Sequence, residues 1–418
     1  MSRQGISTKE NKNTTLTITQ ENIQIPEAPP IPGLRFRHYQ GKDDLPAILE
    51  LTNLADEAEE VQNLDFVSQA DGIDDLLEIN MSTTLIEEYV ELVHAPDIPG
   101  LTFRKFRGEE DYPHMLAIID GSKEADGSER SDTLEDIQRN YEHLTNCDPY
   151  QDVLFAEVDG NPIAYSRVFW DRLEEGIHVY TAFGFVLPEW RRKGIGTAML
   201  LHNEARLREI AADHPEDEPR YFQTWATETE KSTHALAKSQ GYQPIRYGFE
   251  MRRDLSEPFP AAPMPKGLEV RPVQEDQIRT IFEASNEAFR DHWGYREDSW
   301  EEFQSWMKAP TFNPELWKIA WDGDQVAGIV MNYVNEKENE EYDRKRGYTE
   351  NISVGRLWRR LGLAKSLIVQ SMKMFKEIGM TETALGVDAE NTSGALHLYK
   401  KCGYKVTKQA TTYRKEMK

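Results

Sequence analysis

The chain has 418 residues and a formal net charge of −24, from 49 basic and 73 acidic side chains. This length suits two domains of ordinary size, each large enough to bury a core, together with an extension. The acidic excess argues against nucleic acid as a partner, because proteins that bind it present a basic face or stripe. It favours solubility, and an acidic surface also attracts cationic molecules such as amines. Two cysteines, Cys147 and Cys402, provide neither a disulfide framework nor a metal-ligand cluster, so we expect no metal.

The first 30 residues are polar and lack the apolar core of a signal peptide, and no apolar run reaches the length of a membrane span. The sequence therefore predicts a disordered segment over residues 1–30 and a cytoplasmic protein with no membrane partner. The heptapeptide IPGLRFR at residues 31–37 recurs as IPGLTFR at residues 98–104. No glycine-rich turn follows the first instance, so we predict a partial repeat over residues 31–96 that serves as a structural appendage. A strand exchanged with a neighbouring chain is the alternative for this segment.

A glycine-rich turn lies between a short strand and a helix in residues 97–254. Phe183–Val186 is β-prone, Arg191–Gly196 reads R-R-K-G-I-G, and Thr197–Ile210 repeats apolar residues at helical spacing. Glycine at such a joint lets backbone N–H groups converge, and the start of a helix adds partial positive charge. Upstream, Phe155–Ala164 has two apolar runs around an Asp-Gly pair, which predicts a hairpin. The turn suits a pyrophosphate.

The same pattern returns after a linker. Residues 255–266 are rich in proline and predict an extended, fairly stiff connection. In residues 267–418, the strand Ile352–Val354 precedes Arg359–Ala364, which reads R-R-L-G-L-A, and a second helical pattern follows. The distance between matching segments is nearly constant, which indicates two copies of one domain. We call residues 97–254 the first copy and residues 267–418 the second copy.

The duplicated turn resembles the Q/R-x-x-G-x-G/A loop of the GNAT superfamily of acyl-CoA-dependent N-acetyltransferases. The second copy also contains N-x-x-x-A-x-x-L-Y-x-x-x-G-(F/Y) over Asn391–Tyr404, a pattern typical of the closing helix and strand of that family. The resemblance covers roughly residues 98–254 and 266–417, and the tandem layout is similar to that of mycothiol synthases, although tandem acetyltransferases are not confined to that activity. It implies an α/β (α+β) fold of two domains, each a mixed, mostly antiparallel twisted sheet flanked by helices. The cofactor is expected where the fourth and fifth strands splay apart.

The resemblance also implies acetyl-CoA as co-substrate. Backbone groups of Ile352 and Val354 are expected to pair with its pantetheine arm like an added strand, and Asn391 to donate or accept a hydrogen bond. In the second copy the expected acetyl-CoA-binding residues are Ile352, Val354, Arg359, Arg360, Leu361, Gly362, Leu363, Ala364 and Asn391. In the first copy they are Phe185, Val186, Arg191, Arg192, Lys193, Gly194, Ile195 and Gly196.

Acetyl transfer needs an amine that has lost its proton and a proton for the departing thiolate, since an alkylamine has a pKa of ~10.4 and a thiol ~8.5. Glu350 occupies a strand position where several family members carry a carboxylate base. Tyr399 corresponds to the family's frequent general acid. The first copy has Ala182 and Ala237 at these two positions. We therefore predict that the second copy is catalytic and that the first binds acetyl-CoA without catalysis.

Alternatives remain for these residues. In the first copy, Glu228, Glu230 or His234 would substitute for the missing groups in a shifted geometry. Glu350 has polar neighbours and also fits an ordinary strand residue facing solvent. Tyr399 has apolar neighbours and also fits a core residue.

The sequence leaves the acceptor open. Asn286–Tyr295 is rich in aromatic residues and lies where helices wall the acceptor pocket in this family, so Asp291 and His292 would hold a cationic amine; a packed helix junction is the alternative. The favoured function is acetyl transfer to a primary amine, on a small molecule or peptide, by direct attack in a ternary complex. The other class is an acyl-CoA-binding regulatory or scaffolding protein. The chain is expected to be a monomer with pseudo-dimeric domains or a homodimer.

Overall fold

The computed structural model describes residues 89–391 and 393–418. The predictions for residues 1–30, and for residues 31–96 up to residue 88, lie outside the described residues. Strands and helices of the described part follow nearly the same order twice. The strands are β1 Leu101–Lys105, β2 Val153–Val158, β3 Asn161–Arg172, β4 His178–Val186, β5 Arg220–Thr227, β6 Gln243–Asp254, β7 Glu269–Arg271, β8 Lys318–Asp322, β9 Gln325–Val334, β10 Arg346–Val354, β11 Glu382–Asp388 and β12 Lys405–Glu416.

The α-helices of the described residues lie between these strands. They are α1 Tyr112–Asp126, α2 Leu134–Glu142, α3 Pro149–Asp152, α4 Ile195–Ala211, α5 Lys231–Ser239, α6 Ile278–Phe289, α7 Trp300–Met307, α8 Glu336–Glu341, α9 Leu363–Glu377 and α10 Ala395–Lys401. Short 3-10 turns at Pro188–Trp190 and Arg356–Trp358 precede α4 and α9 at matching places. The predicted hairpins β2–β3 and β8–β9 are both present.

The two copies share one twelve-stranded sheet, in the order β1-β2-β3-β4-β5-β12-β6-β11-β10-β9-β8-β7. The last strand of each copy lies next to the fifth strand of the other, because β12 pairs with β5 and β6 pairs with β11. The two exchanged strands also pair with each other. Most pairings are antiparallel, as the sequence predicts, and β4–β5 and β10–β11 are parallel.

Helices cover both faces of the sheet in each copy, which confirms the expected architecture. Phe155 packs against residues of α1, whereas its neighbours Leu154 and Ala156 pack against residues of α4 on the opposite face. This alternation follows from the two-residue period of a strand. In the second copy, Ile319 packs with Ile281 of α6 in the same way. Burial of these apolar side chains is the main force that holds the helices to the sheet.

The proline-rich linker has no helix or strand between residues 255 and 266. Leu255 is buried, and Phe259 packs against the same apolar cluster of the second copy. Met264 contacts a second cluster that includes residues of α9. The linker therefore lies along the second copy.

Candidate active site

Both predicted glycine-rich turns adopt the same backbone conformation. Arg192 and Arg360 have φ values of 62° and 64°, and Gly194 and Gly362 have φ values of 95° and 88°. Gly194 and Gly362 are the N-caps of α4 and α9, and neither helix has a side-chain cap. The first amide N–H groups of both helices therefore stay available for an anion, as a pyrophosphate site requires.

The first arginine of each turn has a structural partner. Arg191 Nε donates to the carbonyl of Val186 at 2.7 Å, and Arg359 Nε donates to the carbonyl of Val354 at 3.0 Å. These bonds tie each turn to the end of the strand before it. The guanidinium groups are also occupied within the protein, by Asp126 in the first copy and by Asp291 and the Ala288 carbonyl in the second.

Two other predicted cofactor residues have buried side chains. Ile195 and Leu363 are 0% and 1% exposed and belong to apolar clusters beneath the turns. Only their backbone groups can face a ligand. Leu361, in contrast, is exposed, and Lys193 lies over the ring of Trp190 at 4.4 Å.

In the first copy the turn borders an open cleft. The pairing of β4 with β5 ends at Thr181 and Gln223, and the strands separate beyond that point. A cavity of about 360 Å³ lies in this opening. Ala182 and Ala237, the residues at the predicted catalytic positions, both line it. The predicted cofactor residues that line it are Phe185, Val186, Arg191, Arg192, Gly194 and Gly196.

The proposed substitutes for the first copy's missing acid and base are engaged elsewhere. His234 contacts the Tyr413 hydroxyl through Nδ1 and the Thr227 carbonyl through Nε2, both at 2.8 Å. Glu230 lines the cleft, but its carboxylate accepts hydrogen bonds from the backbone and hydroxyl of Thr227 at 2.6 and 2.7 Å. Glu228 lines a different cavity together with His234.

In the second copy Glu350 lies where β10 and β11 separate. The parallel pairing ends at Tyr348 and Ala384, two residues before Glu350. Burial raises the pKa of Glu350 to about 7, the negative charge of Glu250 adds to this rise, and interaction with the backbone of Gly386 opposes it in part. A carboxylate with this pKa is suited to general base catalysis near neutral pH.

Tyr399 is buried near Glu350. Its side chain is 6% exposed and packs in an apolar cluster with Cys402 and Tyr404. Burial raises the pKa of Tyr399, and the charges of Tyr404 and Glu350 add to this rise. No residue that the structure describes forms a hydrogen bond with the Tyr399 hydroxyl. The phenol therefore stays protonated, and no residue of the described ranges occupies its donor.

A β-bulge that the sequence analysis did not predict distinguishes the two copies. Between Glu350 and Ser353, β10 contains one residue more than its partner β9, whereas β4 pairs with β3 without a shift in register. Asn351 in the bulge has a φ of 46°. Asparagine tolerates positive φ and is rare in strands, so this residue was the available signal. The first copy has Phe183 at the corresponding position, packed against Trp225.

The other predicted cofactor residues of the second copy lie on β10, on α9 and in the turn before α10. Ile352 packs in the clusters on either side of it, and Val354 ends β10. Ala364 is in the first turn of α9. The Asn391 side chain accepts a hydrogen bond from the Ser393 backbone at 2.8 Å, and it shapes the turn before α10.

A cavity of about 620 Å³ lies between the two copies. The predicted acceptor segment lines it through several residues, including His292 and Trp293, and Asn351 of the bulge lines it as well. Asp291 does not line this cavity. It is paired with Arg356 and Arg359 at 2.9 and 2.6 Å, and the hydrogen bonds of these two arginines hold the pKa of Asp291 below its usual range.

Two further features of the described residues are the arrangement of side chains that could ligate a metal and the length and polarity of their helices. Among them, no group of three or more His, Cys, Asp or Glu side chains is arranged to hold a metal ion. Every helix in the described part of the chain is too short or too polar to cross a membrane.

Comparisons with known proteins agree with this geometry. The sequence model of the Acetyltransferase (GNAT) family matches residues 115–242 and 277–404. A mycothiol acetyltransferase of Geodermatophilus obscurus is 28% identical over 259 residues, which cover 61% of this chain and 79% of that protein. A GCN5-related N-acetyltransferase from Sphaerobacter thermophilus has a TM-score of 0.59 and 26% identity, covering 77% of this chain and 96% of that one.

A tandem GNAT protein from the clavulanic acid biosynthesis pathway shares the fold, with a TM-score of 0.55, 14% identity, and coverage of 76% of this chain and 98% of that one. The family matches place one GNAT unit in each copy and together span more than half of the chain. The protein therefore belongs to the GNAT family and is a tandem GNAT N-acetyltransferase.

Proposed function

We propose that the second copy transfers the acetyl group of acetyl-CoA to a primary amine on a small molecule or peptide. Glu350 accepts the proton that the amine loses, the amine nitrogen bonds to the acetyl carbon, the carbon–sulfur bond breaks, and Tyr399 supplies a proton to the thiolate. The observation that carries this proposal is the position of Glu350 and Tyr399 together where β10 and β11 separate.

The environment of Glu350 supports the role of base. An exposed glutamate has a pKa of ~4.3 and is too weak a base towards an ammonium. Burial brings the pKa of Glu350 to about 7, which is closer to the pKa of an alkylammonium group. A useful fraction of the carboxyl group is still ionised at neutral pH. Asn351, the next residue, lines the cavity between the copies. An amine bound in that cavity would approach the bulge that carries the base.

The environment of Tyr399 supports the role of acid. A raised pKa keeps its phenol protonated through the physiological range. A donor that no described residue occupies gains a strong, charge-assisted hydrogen bond when a thiolate forms beside it. The same bond would be weaker to the neutral thioester, so it favours the transition state.

The first copy is proposed to bind acetyl-CoA without chemistry. Its cleft carries the turn that the second copy has, while Ala182 and Ala237 place methyl groups where a base and an acid would stand. Acyl-CoA binding without turnover, the other function that the sequence suggested, would then apply to the first copy alone.

Direct attack is proposed over a covalent intermediate. Cys402 is 0% exposed and burial raises the pKa of its thiol to about 11, so it is protonated and inaccessible at neutral pH. The other cysteine, Cys147, lies in the first copy, and burial raises its pKa to about 12.

The test measures coenzyme A release with a panel of primary amines for wild type, Glu350→Gln and Tyr399→Phe. Removal of an acid or base is expected to lower kcat by about 10²–10⁴-fold. The controls are Glu230→Gln, in the cleft of the first copy, and Tyr242→Phe, at a tyrosine buried in the first copy's core, and both are expected to retain wild-type turnover. If Glu230→Gln abolished turnover while Glu350→Gln did not, the chemistry would belong to the first copy and the proposal would be wrong.

A further inference from the structure

Arg414 lines the cavity between the copies. It lies on β12, the exchanged strand, directly opposite Gln223 of β5. Arg414 Nε donates to Gln223 Oε1 at 2.9 Å, and its guanidinium lies 4.8 Å from the ring centre of Trp293. All three side chains line the cavity. This corner exists because the second copy's last strand is inserted into the first copy's part of the sheet.

The charge of Arg414 is not neutralised by contact with a carboxylate. The other arginine that lines the cavity, Arg296, is paired with Asp171 and Glu302, each at 3.0 Å. Among the described residues, none forms an ion pair with Arg414; Glu175 acts on it across space, and its guanidinium carbon lies 5.7 Å from the ring centre of Tyr221. Desolvation lowers its pKa, and a guanidinium remains charged at any physiological pH.

An uncompensated, partly buried cation costs desolvation energy unless a partner arrives. In a chain with a net charge of −24, carboxylates are abundant, yet none is placed against this group among the described residues. Gln223 occupies only Nε, so the terminal N–H groups are left to donate to two oxygens of one anion. Trp293 is 40% exposed and provides a flat apolar wall beside them.

We propose that the acetyl acceptor carries an anionic group, a carboxylate or a phosphate ester, that binds Arg414 while its amine faces the bulge at Asn351. This inference rests on the proposed function and narrows the acceptor to amines with both charges. The acidic remainder of the cavity, Asp171, Asp298 and Glu302, already has Arg296 as its cation. Among the described residues that line the cavity, Arg414 is therefore the arginine that no carboxylate pairs with.

The test is a binding measurement that does not depend on turnover. Calorimetry in the presence of coenzyme A compares 4-aminobutyrate, 3-aminopropyl phosphate, and the matched neutral amines 4-aminobutyramide and 3-aminopropanol. Wild type is expected to bind at least one anionic amine about tenfold or more tightly than its neutral match. The better of the carboxylate and the phosphate identifies which anion the corner fits.

Three variants complete the test. Arg414→Gln is expected to remove the preference for the anionic member, Arg414→Lys to retain part of it, and Arg271→Gln, on the edge strand β7, to leave it unchanged. Thermal unfolding of each variant checks that the fold is intact. Equal or weaker binding of the anionic members by wild type, including no binding of either at concentrations of about 10 mM, would overturn the inference. Acetylation of neutral amines alone would leave the proposed function standing and reject this narrowing of it.

Discussion

Arg191 and Asp126 form a two-point ion pair at 2.6 and 2.9 Å that holds the turn of the first copy against the end of α1. Arg359 and Asp291 form the corresponding pair after α6 in the second copy, at 2.6 Å. The two pairs differ in burial. The side chains of the first are 16% and 13% exposed, whereas those of the second are 36% and 47% exposed. Both copies therefore have the same arginine–aspartate ion pair, and the pair of the first copy lies in the less solvent-exposed environment.

The difference in burial predicts unequal effects of removing the carboxylate charge. Asp126→Asn leaves a mostly buried guanidinium without its counter-charge and is expected to lower the free energy of unfolding by about 2 kcal/mol. Asp291→Asn affects an exposed pair that solvent screens, so a smaller loss is expected. Urea denaturation of both variants measures the difference. Equal losses would show that burial does not set the strength of these pairs.

The raised pKa of Glu350 predicts the pH dependence of turnover. A general base acts in its ionised form, so kcat should fall as pH drops below about 7 and rise to a plateau above it. The measurement is kcat at saturating substrates from mildly acidic to mildly alkaline pH for wild type and Glu350→Gln. The limb near pH 7 should be missing from the residual activity of the variant. Its persistence would assign that limb to another group.

The same pKa predicts a pH dependence of stability. Because the folded-state pKa lies above the unfolded value, the native protein holds its proton more tightly, and stability falls as pH rises from about 4.5 to about 7. Above this range the free energy of unfolding is lower by an amount on the order of 3 kcal/mol. Glu350→Gln is therefore expected to be more stable than wild type at a pH of about 8 and close to it at about 4.5. Chemical denaturation at both pH values measures this, and a constant difference would indicate that Glu350 is not desolvated.

Substitutions of the two capping glycines, Gly194 and Gly362, test how many acetyl-CoA molecules the protein binds. Gly362 has open space where a Cβ would lie but a φ of 88°, so Gly362→Ala reports the strain alone and Gly362→Glu adds bulk and negative charge at the phosphate site. Wild type should bind two molecules by calorimetry. Gly362→Glu and Gly194→Glu should each bind one, and only Gly362→Glu should lose turnover. Loss of turnover in Gly194→Glu with retention in Gly362→Glu would reverse the assignment of roles.

Local sequence patterns predicted the two hairpins, the strands before the two turns and the helices after them, because each depends on a few neighbouring residues. The duplicated Arg-Arg-x-Gly segments lead into helices capped by glycine, as the motif requires. The exchange of β6 and β12 was not predicted, since strand pairing between copies depends on contacts far apart in the chain. The pseudo-dimer expected from the sequence had two separate sheets, whereas the copies share one sheet, and the oligomeric state stays a prediction.

The site was predicted less completely than the fold. Glu350 and Tyr399 lie at one opening, as the resemblance implied, although their roles remain predictions. The partner of Arg191 is 65 residues away, so its ion pair was invisible to a local motif. The position of Arg414 in the cavity was missed for the same reason, because the exchanged strand brings it beside Gln223.

The order of strands across the sheet has a consequence for synthesis on the ribosome. Proteins emerge from the N-terminus, yet the inner edge of β5 is covered by β12, whose residues 405–416 are made after the whole of the first copy and most of the second. The first copy therefore presents an unpaired strand edge until β12 has been made. A premature stop after α10 would leave both copies with incomplete sheets.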